Sequence, residues 1–285
     1  MGWGALDYKL CQPGDSRLSF RGPCQEPQDR YSVILGGTEI FGRFMETTIA
    51  DTFAALSETQ VVNLGCLSAG IEAFENDPVI ADLVAGASLT VLHVTGVQLL
   101  SNAYYQVHPR RNDRFIQPTP RMREAFPRLD FTEVHFVGHL LRSAAEHSPE
   151  AFREMREELQ AEWLRRMSAF LDGVPGDVVL LWMAAHEPPA DVRTSPGWDE
   201  PLFVTRKMLD ALAVDGVHLL EVVATPEETQ AGRDRMIFPP HEEPAAQRLL
   251  GPIVHQRAAI SLLEFGDRLG ESRPAQAAGR ATRQG

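Results

Sequence analysis

The stretch Tyr31–Phe44, YSVILGGTEIFGRF, carries a hydroxyl at the end of an apolar run: Val33, Ile34 and Leu35 lead through Gly36 and Gly37 into Thr38. The apolar trio suits a strand buried on both faces, and the two glycines permit backbone angles or close approaches that a side chain would forbid. The Thr38 hydroxyl is therefore expected at the mouth of an α/β sheet, where ligands bind. There it can attack an electrophile, or it can cap a helix beginning at that residue, with Glu39 placed favourably in the first turn. Two phosphate readings fail on residue types. Gly37-xxxx-Gly42 is followed by Arg43-Phe44, so the Lys-Ser/Thr of a P-loop is missing, and no GxGxxG follows the strand.

A second group with chemical potential is the run Val107–Arg123, VHPRRNDRFIQPTPRMR. It holds Arg110, Arg111, Arg114, Arg121 and Arg123 against one acidic residue, Asp113. Guanidinium forks bind phosphate, sulfate or carboxylate bidentately, so Arg110, Arg111 and Arg114 are candidate anion-binding residues, with His108, Tyr104 and Tyr105 as added donors and stacking faces. The ordinary alternatives are a solvated loop paired with surface carboxylates or a surface for homo-oligomer formation.

The elements that must position these groups are legible as alternating patterns. Strands are expected at Ser32–Leu35, Gln60–Leu64, Leu89–Thr95, Val178–Ala184 and Val217–Val223. Helices are expected at Thr38–Leu56, Pro78–Gly86, Phe131–His147, Pro149–Leu171, Leu202–Ala213 and Ala245–Leu269. Alternation of this kind predicts an α/β fold: three layers, α/β/α, around a mostly parallel five-strand sheet of flavodoxin-like type. Residues 1–30 read as an N-terminal extension, 31–270 as the α/β domain with a helical insertion at about 103–172, and 271–285 as a disordered tail.

Composition bounds the function classes. In 285 residues, 44 % are hydrophobic, and 27 Lys+Arg face 39 Asp+Glu for a net charge of −12. The acidic balance argues against general nucleic-acid or anionic-membrane binding. No membrane span or leader is expected, and the protein reads as cytoplasmic. The three cysteines, Cys11, Cys24 and Cys66, have no paired spacing and read as free thiols. No metal site and no cofactor is expected.

Four blocks follow one another: GGT after the first strand, NLGCLSAG at Asn63–Gly70, TGVQLLSN at Thr95–Asn102, and FPPHEEPAAQRLL at Phe238–Leu250. Their order resembles the SGNH (GDSL-like) hydrolase superfamily, whose blocks supply a nucleophilic serine, an oxyanion glycine, an oxyanion asparagine and a C-terminal histidine. The resemblance implies Thr38 as nucleophile and His241 as base, with oxyanion donors from Ser68 or Gly70 and from Gln98 or Asn102. Phe238 stands where the family has aspartate, leaving Asp234, Glu242 or Glu243 as partners for the histidine. The implied function is an esterase or acyltransferase acting on a small or carbohydrate-linked anionic substrate. The alternative is a catalytically silent domain of the same fold that binds a phosphorylated or sulfated ligand through Arg110 and Arg111. Over the whole chain, FRGP, LGGTEIFG, VVNLGC and VHPRRNDRF resemble an uncharacterised family of alphaproteobacterial, chiefly Rhodobacterales, proteins that form a domain of unknown function.

Overall fold

The structure, a computed structural model, describes residues 6–27, 29–191, 197–214 and 216–272, with side chains through residue 268. Most of the expected tail, residues 273–285, lies outside the described residues.

The chain begins its regular structure with β1 (Tyr31–Gly36), α1 (Thr38–Phe41), α2 (Ile49–Ser57), β2 (Gln60–Gly65), α3 (Ile71–Phe74), α4 (Pro78–Ala85) and β3 (Leu89–His93). An insertion follows: β4 (Tyr105–His108), β5 (Arg111–Pro118), α5 (Pro120–Ala125), α6 (Val137–His147) and α7 (Pro149–Asp172). The chain then returns through β6 (Val178–Ala184), α8 (Arg206–Leu212), β7 (Val217–Val223), α9 (Pro226–Ala231), α10 (Glu243–Ala246) and α11 (Pro252–Ser272). The main sheet has the order β2-β1-β3-β6-β7 with every pairing parallel. Counting only its own strands, that order is 2-1-3-4-5, the flavodoxin-like doubly wound order. This is the α/β architecture expected from the alternating pattern.

Both faces of the sheet are covered. Ile34, Val91 and Leu181 pack with Ile49 and Phe53 of α2 and Val254, Ala258 and Leu262 of α11. The opposite face, with Val33, Leu35 and Leu92, packs against α4 and the insertion, whose Met155, Leu159, Trp163 and Met167 form the buried stripe of α7. Burial on both faces explains why β1 and β6 are apolar at nearly every position rather than alternating.

Three element expectations are corrected. The helix expected over Thr38–Leu56 is two helices, because Gly42 takes a left-handed conformation (φ 68°) that ends α1, and Thr48 and Asp51 form a capping box that starts α2. The helix expected over Ala245–Leu269 is likewise split into α10 and α11. The insertion is not wholly helical: it opens with the antiparallel hairpin β4–β5, in which Asn112 and Phe115 turn inward and the arginines turn outward. Arginine-rich alternation of this kind carries little apolar signal, so the strand was hidden in the basic run.

The insertion is bolted to the main domain. Arg166 of α7 forms ion pairs with Glu72 at 2.8 Å and with Glu75, and donates to the Ser101 carbonyl. Glu72 in turn accepts from the Ser101 hydroxyl, and that hydroxyl accepts the Val107 N–H of β4 at 3.1 Å.

Residues 6–27 form a strap across the outer edge of β2. Arg21 N–H pairs with the Gly65 carbonyl at 3.1 Å, and Gln60 Nε2 holds the Glu26 carbonyl at 2.8 Å. The free-thiol expectation is corrected here: Cys11 and Cys24 are joined in a disulfide, and only Cys66 is free. A chain reversal anchored by buried Phe20, which pairs with Cys11, brings the two sulfurs together, and no sequence spacing reports such a reversal. No helix among the described residues is long and apolar enough to cross a membrane.

Candidate functional site

The mouth lies at the carboxyl ends of β1, β2 and β3. Gly36 lets β1 and β3 close tightly there, since a Cβ at Gly36 would stand 2.7 Å from His93 Cβ. Gly37 is the N-cap of α1 and Thr38 its first residue, so the hydroxyl is not the helix cap that the sequence suggested. It is turned instead toward the second block, where Thr38 Oγ1 accepts the Ser68 N–H at 3.0 Å. Ser68 is held for this at φ 57°, in the loop that follows β2.

The hairpin closes over that loop through one residue. Asn112 is fully buried; its N–H donates to the Ser68 carbonyl at 3.0 Å, its Oδ1 accepts the Gly70 N–H at 2.7 Å, and its Nδ2 donates to the His108 carbonyl at 3.1 Å. Arg110 lies in the two-residue hairpin turn with Pro109, and Arg111 opens β5 beside it. Burial pushes the Cys66 thiol up to about 11, and the positive charge of Arg111 acts on it in the opposite direction, which sets Arg111 beside the Cys66–Gly70 loop. Both turn arginines are exposed, and neither has an ion pair among the described residues. The other arginines of the run are engaged: Arg114 lies over Phe136, Arg121 over Tyr104 with Glu158 at 3.9 Å, and Arg123 over Phe131.

The third block turns its amides inward. Gln98 is buried and donates to Glu200 Oε1 at 2.6 Å, while Glu200 Oε2 accepts the Leu202 N–H at 3.0 Å. Glu200 is exposed as a residue, but its carboxyl end is tucked onto Gln98, and loss of solvent there raises its pKa. Asn102 makes the turn into the hairpin, accepting from Tyr104 N–H at 2.8 Å and Tyr105 N–H at 3.2 Å and donating to the Leu100 carbonyl. In the fourth block, His241 lies exposed in a single 3₁₀ turn, Pro240–Glu242, with no hydrogen bond or ion pair among the described residues. Glu242 pairs with Arg43 at 3.3 Å, Glu243 with Arg233 at 3.0 Å, and Phe238 packs on Phe44.

Thr38, Ser68 and Gly70 are thus brought together, and Arg111 joins them. Sequence reasoning missed Asn112, a lone amide inside a basic run, although it is what joins the two groups. It also missed a buried cluster behind the turn. Glu39 Oε2 meets His255 Nε2 of α11 at 3.1 Å and Glu39 Oε1 accepts the Leu250 N–H, while His93 is buried with neither ring nitrogen partnered among the described residues. Burial lowers His93 to about 4, with Glu39 raising and His255 lowering it further. Among the described residues no group of three or more His, Cys, Asp or Glu is arranged to hold a metal ion.

A family model described as Domain of unknown function (DUF6473) matches residues 1–269. No curated protein matches the sequence. Among solved structures, a carbohydrate esterase family 2 enzyme with a carbohydrate-binding domain from Corynascus thermopiles (Myceliophthora fergusii) is similar at 10 % identity and a TM-score of 0.43, over 87 % of this chain and 69 % of that one. A family two carbohydrate esterase from Clostridium thermocellum, in complex with cellohexaose, is similar at 10 % identity and a TM-score of 0.42, over 88 % and 68 %. The salicylyl-acyltransferase SsfX3 from a tetracycline biosynthetic pathway is similar at 13 % identity and 0.37, over 86 % and 57 %. Likeness at these values carries no assignment of activity.

Proposed function

We propose, for a chain that belongs to the DUF6473 family of unknown function, that the mouth of the sheet binds a phosphorylated or sulfated small molecule or glycan, with Arg110 and Arg111 holding the anion. The observation that carries this reading is the anchoring of the arginine turn. Asn112, buried and bonded three ways, fixes the turn against the Ser68–Gly70 loop, while the two guanidinium groups beside it stay without ion pairs among the described residues. Bidentate pairing with an arriving anion uses donors that the fold has left open. The groups that an acyl-transfer site would need are spent within the protein: Gly70 N–H on Asn112 and the Gln98 amide on Glu200.

Thermal unfolding in phosphate or sulfate, against chloride at equal ionic strength, tests the reading. A ligand at a hundred times its Kd adds about 2.7 kcal/mol, and the gain should vanish in Arg110→Ala/Arg111→Ala. Equal stabilisation of that double variant would overturn it.

A second reading rests on one contact. Thr38 Oγ1 lies 3.0 Å from the Ser68 N–H, so a hydroxyl and an oxyanion donor are already adjacent. In that reading Thr38 attacks an acyl ester, His241 serves as base and the Ser68 N–H is the oxyanion donor at hand, while Gly70, Gln98 and Asn102 would donate only on release from Asn112, Glu200 and the Leu100 carbonyl. Hydrolysis of p-nitrophenyl acyl esters that disappears in both Thr38→Ala and His241→Ala would promote it to an enzyme; turnover untouched by either change would remove it.

A further inference from the structure

The strap touches β2 at its two ends and bows away in the middle. At one end Arg21 N–H binds the Gly65 carbonyl, and at the other Gln60 Nε2 reaches the Glu26 carbonyl and Gln25. Between them lies a cavity of about 280 Å³ walled by strap residues, including both disulfide cysteines, by Val61–Leu64 of β2, and by Ala50, Asp51, Val79 and Leu83 of the flanking helices.

The direction of the backbone inside this cavity follows from its neighbours. Cys66 N–H reaches across to the Gly36 carbonyl at the end of β1, whereas the Gly65 carbonyl reaches outward to Arg21. Residues therefore alternate, and Val61 and Asn63 present their N–H and C=O groups away from β1. Among the described residues these outward groups have no partner, because β2 is an edge strand paired only with β1.

We infer that this gap is a binding site for one extended amino-acid unit, the chemistry of an N-acyl amino-acid amide. In a parallel ladder one partner residue donates its N–H to the carbonyl of one residue and accepts from the N–H two residues further on. Here those are the Val61 carbonyl and the Asn63 N–H, and a single bound residue satisfies both, as in strand addition to a sheet edge. The ligand is neutral: two of the three charged groups of the lining are already engaged, and the third, Glu26, is an exposed carboxylate that disfavours an anion. The Arg21 guanidinium donates to the Gly42 and Glu46 carbonyls, and Asp51 accepts from Thr48. Short apolar flanks suit the walls made by Val79, Leu83 and Phe20.

The test is a titration of ¹⁵N-labelled protein with N-acetylglycine N-methylamide. Shifts should concentrate at the Val61 and Asn63 amides, and Arg111→Ala should leave them unchanged, which separates this site from the mouth. The fully N-methylated analogue, which has lost its N–H donors, should bind at least tenfold more weakly, as should the parent compound to Val79→Phe, a half-buried position that fills the cavity. Shifts scattered over the surface, or equal binding of the N-methylated analogue, would overturn the inference.

Discussion

Thr38 and Glu39 are consecutive, yet they serve two regions with opposite character. Toward the insertion, the Thr38 hydroxyl, Ser68, Gly70 and Asn112 form a set linked by hydrogen bonds within the protein. Toward α11, Glu39 meets His255, while both ring nitrogens of His93 and Nδ1 of His255 are buried without partners among the described residues. The unpartnered ring nitrogens around Glu39 are thus sealed from solvent, while the backbone N–H groups of Ser68 and Gly70 at the mouth are paired within the protein. What the mouth has left open is charge, at Arg110 and Arg111. That distribution suits holding an anion that arrives with its charge better than stabilising one that develops during a reaction.

The largest expected effect probes the sealed side. His93 is held neutral by burial, with its pKa lowered from 6.5 to about 4 and with Glu39 and His255 facing it. The unfolded chain takes up the proton first, so the contribution is intact above about pH 6.5 and is lost as pH falls toward 4. The drop corresponds to about 3 kcal/mol. Denaturant unfolding at pH 7, 5.5 and 4 should show this slope, and His93→Leu should flatten it; an unchanged slope would mean that the imidazole is not what sealing costs. On the satisfied side, Asn112→Ala leaves the Gly70 N–H and His108 carbonyl without their partner. It should cost about 2 kcal/mol in chemical denaturation and weaken anion stabilisation although it removes no charge. If anion binding survives intact, the turn does not depend on its anchor. The smallest effect is expected at the open edge: Arg111→Ala, exposed and without an ion pair among the described residues, should change stability by less than about 0.5 kcal/mol. A larger loss would show that the guanidinium is serving the fold.

The sheet was legible because its strands leave dense Val and Leu runs: Val178–Ala184, buried at every position, and the half-buried edge strand Val217–Val223 are found where the pattern put them. Thr38 at the end of the first strand was legible for the same reason. Its partner was not, since hydrogen bonding to Ser68 depends on a loop thirty residues away. The break after α1 has a sequence signature, since Thr48 and Asp51 have capping-box spacing, but the apolar periodicity that runs on across them masks it. Asn112, the Cys11–Cys24 link and the Glu39–His255 pair left no local trace, because each is a long-range meeting of residue types that are ordinary where they stand.

The Arg166 bridge has a mechanical consequence. From α7 it runs through Glu72 to Ser101 and on to Val107 of the hairpin by direct contacts. A seventy-residue excursion from a sheet invites comparison with a hinged flap, but this one has its far end clamped close to its root. The clamp ties the long helix to the root of the hairpin that carries Arg110 and Arg111, the geometry of a strut rather than of a hinged flap.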